Sequence, residues 1–234
     1  MRSFSLLKLF LFGVFMVKEN LEVIFKEIEN GNPFGEKVTL VGATKFVPVE
    51  IMNEAIACGL KDVSENRAQE FKDKFPLVTQ PVNYHFIGSL QKNKVKYLIG
   101  KCCLIQSVDS LSLLDEIDRQ SVNKGVVTNV LLEVNVGVEE QKHGFDYQEL
   151  LSALDYANTL KGIKVKGLMA MLPESSDEDM LYALAVDLRK VYDSYKEKYG
   201  FEHLSLGMSN DYKIAVKAGS NMIRVGSKIF GRRY

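Results

Sequence analysis

Three short segments, far apart in the chain, carry residue types that can do chemistry together. Lys45 stands directly after the apolar run VTLVGAT at 38–44. A lysine emerging from a buried strand can be desolvated, lose its proton and act as a nucleophilic amine. A lysine that simply leaves the core for solvent fits the same spacing. In HLSLGMSND (203–211), Ser209 follows Met208 and stands where a helix N-cap belongs, ahead of Asn210 and Asp211. Free backbone N–H groups and a hydroxyl at a helix start make an anion site, and a cap without any ligand fits as well. In SNMIRVGSKIFG (220–231), Arg224 falls at the end of an apolar run, and Gly226 lets backbone amides approach a ligand closely.

What must position these groups is an alternation of two periods. Residues 17–30 place Leu21, Ile24, Phe25 and Ile28 on one helical face. The spacing predicts strands at 38–44, 61–64, 83–87, 103–108, 127–136, 163–169, 203–207 and 221–225. Helices are predicted after Pro48 up to Gly59, then at 65–74, 90–99, 110–124, 146–160, 176–199 and 210–218, with a short last one at 227–231. The strands are mostly continuous apolar runs, as expected when both faces are covered. Eight strand–helix units predict a single-domain α/β fold, a closed (β/α)8 TIM barrel, with a doubly wound open sheet as the competitor. In a closed barrel the first and eighth strands are neighbours, so Lys45, Ser209, Arg224 and Gly226 converge at one mouth. An amine beside a phosphate cradle suits a phosphorylated aldehyde such as pyridoxal phosphate. The acidic run at 173–179 is expected to be a helix start, with carboxylates in its first turn.

The 234 residues are 46% hydrophobic, enough for a sizeable core, and 30 Lys+Arg balance 30 Asp+Glu. That balance argues against a nucleic-acid partner, whose phosphates call for a basic excess. Cys58, Cys102 and Cys103 have neither zinc-ligand nor disulfide spacing, so free thiols in a reducing cytoplasm are expected. The start, MRSFSLLKLFLFGVFMV, has a charged then apolar pattern but no small-residue cleavage site after it. Its apolar run is about half of the roughly 20 residues a span requires. Residues 1–16 are therefore expected to be a hydrophobic extension, with translation from Met16 as one origin, and 17–234 the barrel.

Several motifs then carry a specific likeness: ATK (43–45), SENRAQE (64–70), HFIGSLQKNK (85–94), VNVG (134–137), KHGF (142–145), GLMAM (167–171) and LGMSNDYKIAVKAGSNMIRVGSKIFG (206–231). In this order they resemble the YggS-like pyridoxal phosphate homeostasis proteins, also called the PROSC family, from about Asn20 to Arg232. The resemblance implies a barrel like that of alanine racemase and pyridoxal 5'-phosphate as cofactor. It implies an internal aldimine on Lys45, and a phosphate held by Ser209 with the backbone N–H groups of Gly226 and Ser227. It also implies Arg224 at the pyridine nitrogen, Asn66 close to the ring and Met208 leaning on the site. Ser64 stands where Gly is usual before ENR, and Ser227 where Thr is usual after RxG. His85, Tyr84 and Tyr212 are expected to be structural. An arginine at the pyridine nitrogen makes the ring a poor electron sink. Racemases of this fold also draw a tyrosine base from a further C-terminal domain, which the resemblance does not extend to here. The expectation is a cofactor carrier rather than an enzyme, monomeric and cytoplasmic, that hands pyridoxal phosphate to apo-enzymes that require it. The rivals are a weak pyridoxal phosphate-dependent amino-acid racemase and a phosphosugar enzyme using Lys45 as a Schiff-base lysine.

Overall fold

The computed structural model describes residues 16–137 and 143–231. The extension assigned to 1–16 and the Lys142 end of KHGF lie outside the described residues, apart from Met16. Helix α1 covers residues 16–28 and buries Val17, Leu21, Ile24 and Ile28. Eight parallel strands follow: β1 (Thr39–Ala43), β2 (Asp62–Glu65), β3 (Asn83–Phe86), β4 (Leu104–Val108), β5 (Thr128–Glu133), β6 (Ile163–Met169), β7 (His203–Ser205) and β8 (Met222–Val225). They close in sequence order, β8 pairing with β1 through Leu40–Ile223 and Val41–Arg224. The barrel, not the open sheet, is the fold.

The remaining helices are α2 (Val49–Ala57), α3 (Ala68–Lys74), α4 (Leu111–Lys124), α5 (Tyr147–Ala157), α6 (Glu178–Tyr199), α7 (Tyr212–Lys217) and α8 (Ser227–Phe230). The acidic run does start a helix: the Asp177 carboxylate caps α6 by accepting from Met180 N at 2.9 Å. The helix expected at 90–99 is instead a 3₁₀ segment, Lys92–Tyr97, of which only Val95 is buried. Alternating lysines leave no apolar stripe wide enough to seat an α-helix on the barrel.

Side chains alternate along the strands between two compartments. Val63, Tyr84, Phe86, Ile105, Val130, Leu132, Leu168, Leu204 and Ile223 join the helices in the outer core. Val41, Leu104, Leu131, Met169 and Met222 form a separate cluster inside the barrel. Other interior positions are polar: His85 on β3, Ser205 on β7, and Gln106 and Arg224 two residues on from Leu104 and Met222 on β4 and β8, all buried. A filled interior of this kind is a core, not a pore, so the barrel offers ligand space at its mouth rather than through its centre. Among the described residues no helix is long and apolar enough to cross a membrane.

Candidate functional site

A cavity of about 780 Å³ opens at the C-terminal ends of the strands. Its lining includes Lys45, Asn66, Met208, Ser209, Arg224, Gly226 and Ser227. The mouth of the barrel thus gathers residues separated by up to 182 positions in sequence, Lys45 following β1 and Ser227 opening α8. 

The segment that carries Lys45 is held on both sides. On one side, Thr44 Oγ1 donates to Glu65 Oε1 at 2.7 Å, while the Thr44 carbonyl accepts from Lys74 Nζ at 2.8 Å. On the other, Phe46 N donates to Glu70 Oε1 at 2.6 Å. Phe46 has φ +60, a left-handed conformation that a bulky residue adopts only when its surroundings impose it. Helix α3 therefore clamps both neighbours of the lysine. Lys45 itself is exposed, so of the two readings its spacing allowed, the structure shows the lysine that leaves the core for solvent. The chain turns out of the barrel at Phe46 and brings the lysine to the open side of the cavity. Glu65, completely buried with Thr44 and Lys74 as partners, has its carboxyl pushed up by burial, against the pull of Lys74.

Ser209 is placed differently from its sequence expectation. It does not cap α7: that position belongs to Asp211, whose Oδ1 accepts from Met208 N at 2.5 Å. At Gly207, φ is +103, and an added Cβ would sit 2.8 Å from Tyr212 Cα. Only glycine permits that tight passage, and the turn sends the Ser209 hydroxyl across to the start of α8. There it accepts from Gly226 N at 3.1 Å and Lys228 N at 3.5 Å. The backbone donors facing this side of the cavity thus belong to the β8–α8 junction, and the serine hydroxyl is their acceptor.

Arg224 forms the polar floor. It is buried, and donates from Nη1 to Ser205 Oγ at 2.7 Å and from Nη2 to the Ala170 carbonyl at 2.9 Å. Burial pulls its pKa down to about 10, partly offset by Glu133 and Asp211, so it remains a cation at neutral pH. Asn66 follows β2 and packs its backbone against Gly88, where a Cβ would come within 2.1 Å of the Asn66 carbonyl oxygen. Its Oδ1 is buried without a hydrogen-bond partner, an acceptor that an incoming donor would satisfy.

Sequence reasoning passed over Glu133, the last residue of β5, which lines the cavity and is buried. Burial, then Asp109, push its carboxyl up, opposed by Arg224 and His143. A carboxylate ending the apolar run NVLLE was the available signal. Tyr84 and Tyr212 do not line the cavity: Tyr84 packs edge-on to Phe71, and the Tyr212 hydroxyl donates to Glu27. His85 lies within the barrel between Asp62 and Gln106. The three cysteines are free, and burial pushes Cys103 up to about 12, leaving a poor nucleophile. Among the described residues no group of His, Cys, Asp or Glu could hold a metal ion.

Comparison with known proteins agrees with this geometry. Residues 49–233, beginning just past Lys45, match the family described as alanine racemase, N-terminal domain. The pyridoxal phosphate homeostasis protein of Aquifex aeolicus (strain VF5) is 39% identical over 216 residues, covering 91% of this chain and 95% of that protein. The protein of the same description from Schizosaccharomyces pombe is 36% identical over 227 residues, covering 91% of each chain. Among solved structures, PipY of Synechococcus elongatus PCC7942 with PLP bound superposes with a TM-score of 0.81 at 28% identity, covering 92% of this chain and 100% of that one.

Proposed function

The chain belongs to the alanine racemase N-terminal-domain family, among its pyridoxal phosphate homeostasis proteins, and from that premise we propose that it binds pyridoxal 5'-phosphate through Lys45 and buffers the free cofactor. The observation that carries the reading is the convergence, on one cavity, of an exposed amine, a buried cation and a serine hydroxyl over backbone donors. The residues fit the group. The N–H groups of Gly226 and Lys228 supply donors for a phosphate, and the buried Asn66 Oδ1 lacks a donor. When bound, the cofactor supplies an amine-reactive aldehyde and an electron-withdrawing ring.

Each residue then has a task. Lys45, clamped through Thr44 and Phe46, offers the amine. Ser209, with Gly226 and Ser227, holds the phosphate, exchanging its accepted N–H bonds for a donated one. Arg224 is assigned to the ring nitrogen, where a fixed cation opposes protonation and weakens electron withdrawal. Asn66 and Met208 line the ring. An arginine at that nitrogen leaves the ring a poor electron sink, which favours a carrier over a catalyst. A cytoplasmic monomer suits the free thiols and balanced charge, and apo-enzymes that require the cofactor are its natural acceptors.

A second reading, a weak racemase, draws on Glu133, a buried carboxyl on the cavity wall that could hold a proton. One experiment separates the two. Protein loaded with pyridoxal phosphate and freed of excess cofactor is mixed with an apo-enzyme, and in parallel with L-alanine. A carrier restores the apo-enzyme while losing its own cofactor absorbance, and yields no D-alanine. Retention of cofactor beside an inactive apo-enzyme, or D-alanine formed at a rate that Glu133→Gln abolishes, contradicts the carrier reading.

A further inference from the structure

A row of polar side chains runs through the barrel interior beneath the cavity. Arg224 Nη1 donates to Ser205 Oγ at 2.7 Å, and Ser205 Oγ donates to Gln106 Oε1 at 2.7 Å. Gln106 Nε2 lies 3.0 Å from His85 Nδ1, and His85 Nε2 lies 3.0 Å from Asp62 Oδ1. The row crosses β8, β7, β4, β3 and β2, and ends at the first residue of β2, away from the mouth. Ser205 and Gln106 are completely buried, so each must find its partners inside the protein.

One arrangement of protons satisfies all five groups. A guanidinium can only donate and an ionised carboxylate can only accept, so both ends are set. Arg224 takes a lone pair of Ser205, whose proton goes to Gln106 Oε1. The amide nitrogen of Gln106 therefore points at His85, and Nδ1 must accept. The His85 proton sits on Nε2 and is donated to Asp62. Reversing the Gln106 amide would leave the Ser205 proton without an acceptor. Every donor in the row faces the same way, from Arg224 toward Asp62, and aligned hydrogen bonds reinforce one another.

We propose that Ser205, Gln106 and His85 are positioning residues for Arg224, tying the guanidinium at the cavity floor to Asp62 at the far end of the barrel through this one-way row. The proposal rests on the assignment of Arg224 to the cofactor ring. An isosteric change can reverse its link between residue 106 and His85 while leaving the other bonds as they are. With Gln106→Glu, Ser205 keeps an acceptor, but His85 must now donate from both nitrogens. With Gln106→Met, of similar volume, Ser205 loses its acceptor and His85 Nδ1 its donor.

The test begins with nitrogen-15 spectra of the histidine rings in cofactor-free protein, His85 being assigned by its loss in His85→Gln. The expected result is a bare Nδ1 and a protonated Nε2 in the wild type, and both nitrogens protonated in Gln106→Glu. Pyridoxal phosphate titrations follow. Gln106→Met and Ser205→Ala, shown to be folded by their melting transitions, are expected to bind about tenfold more weakly and to shift the absorbance band of the bound cofactor. Gln106→Glu is expected to stay closer to the wild type. A wild-type His85 protonated on Nδ1 overturns the proposal. So do folded Gln106→Met and Ser205→Ala variants with unchanged affinity and absorbance while the wild type binds normally. A wild type that takes up no cofactor is a separate result, and overturns the cofactor reading itself together with the role built on it.

Discussion

At the scale of single residues, Ser209 is proposed to serve two partners in turn. In the structure its hydroxyl oxygen accepts from two backbone N–H groups at the start of α8. A phosphate arriving there competes for the same donors and offers oxygens to which the serine proton can be given. Ser209→Ala removes that last bond and leaves the backbone donors in place. The expected loss is about 1 kcal/mol, or roughly fivefold in affinity for pyridoxal phosphate. Binding of pyridoxal, which lacks the phosphate, is expected to be unchanged. Paired titrations with the two ligands check this; equal weakening of both would place the phosphate elsewhere. The residue also marks a limit of sequence reading. Its type pointed to anion chemistry, but the turn at Gly207 hands the α7 cap to Asp211 and aims Ser209 at a different helix. Which helix start a hydroxyl reaches depends on a packing contact between chain segments, which local spacing does not encode.

At the scale of elements, the long helix α6 is fastened to the loop before β1 by one carboxylate. Glu36 accepts from Arg189 Nη1 at 2.6 Å, Lys196 Nζ at 2.6 Å and Asn32 Nδ2 at 2.8 Å. Arg189 Nη1 also donates to the Gly219 carbonyl at 2.7 Å, on the approach to β8. Burial raises the pKa of Glu36, but the bonds from Arg189, Lys196 and Asn32 outweigh it and hold the group at about 2. An unfolded glutamate titrates near about 4.3. Because the folded value is the lower one, the stabilisation is complete above the unfolded value and is lost as pH falls toward the folded one. Glu36→Gln is therefore expected to melt earlier than the wild type at pH 7, with the gap closing between about pH 4 and pH 2. Melting curves across that range check it, and a gap that persists unchanged to pH 2 contradicts the assignment. Helix periodicity was plain in the sequence of α6, whose Leu181, Ala185, Leu188 and Tyr192 are buried. The buried arginine between them was not, because apart from Asp193 one turn on, its partners lie 153 residues away at Glu36 and on the loop leading to β8. The 3₁₀ segment Lys92–Tyr97 was missed for a related reason: a single buried valine gives no period to detect.

For the whole molecule, closure of the barrel is what turns scattered residues into a site. The apolar strand runs and short connections made eight strand–helix units legible, and barrel closure then predicted that Lys45, Ser209, Arg224 and Gly226 would meet at one mouth. They line one cavity. Less legible was the barrel interior, where His85, Gln106, Ser205 and Arg224 meet only because strand register sets them at matching levels. Each looks ordinary within its own strand. The sequence left open whether Lys45 would be buried or exposed, since that depends on the left-handed turn at Phe46 held by Glu70. The central claim is that this lysine is the covalent anchor for pyridoxal phosphate. Incubating the protein with pyridoxal phosphate, reducing with borohydride and mapping peptides by mass tests it most directly. The account predicts a single pyridoxyl adduct on the peptide containing Lys45, absent from Lys45→Ala; no adduct, or one scattered over surface lysines, would contradict it.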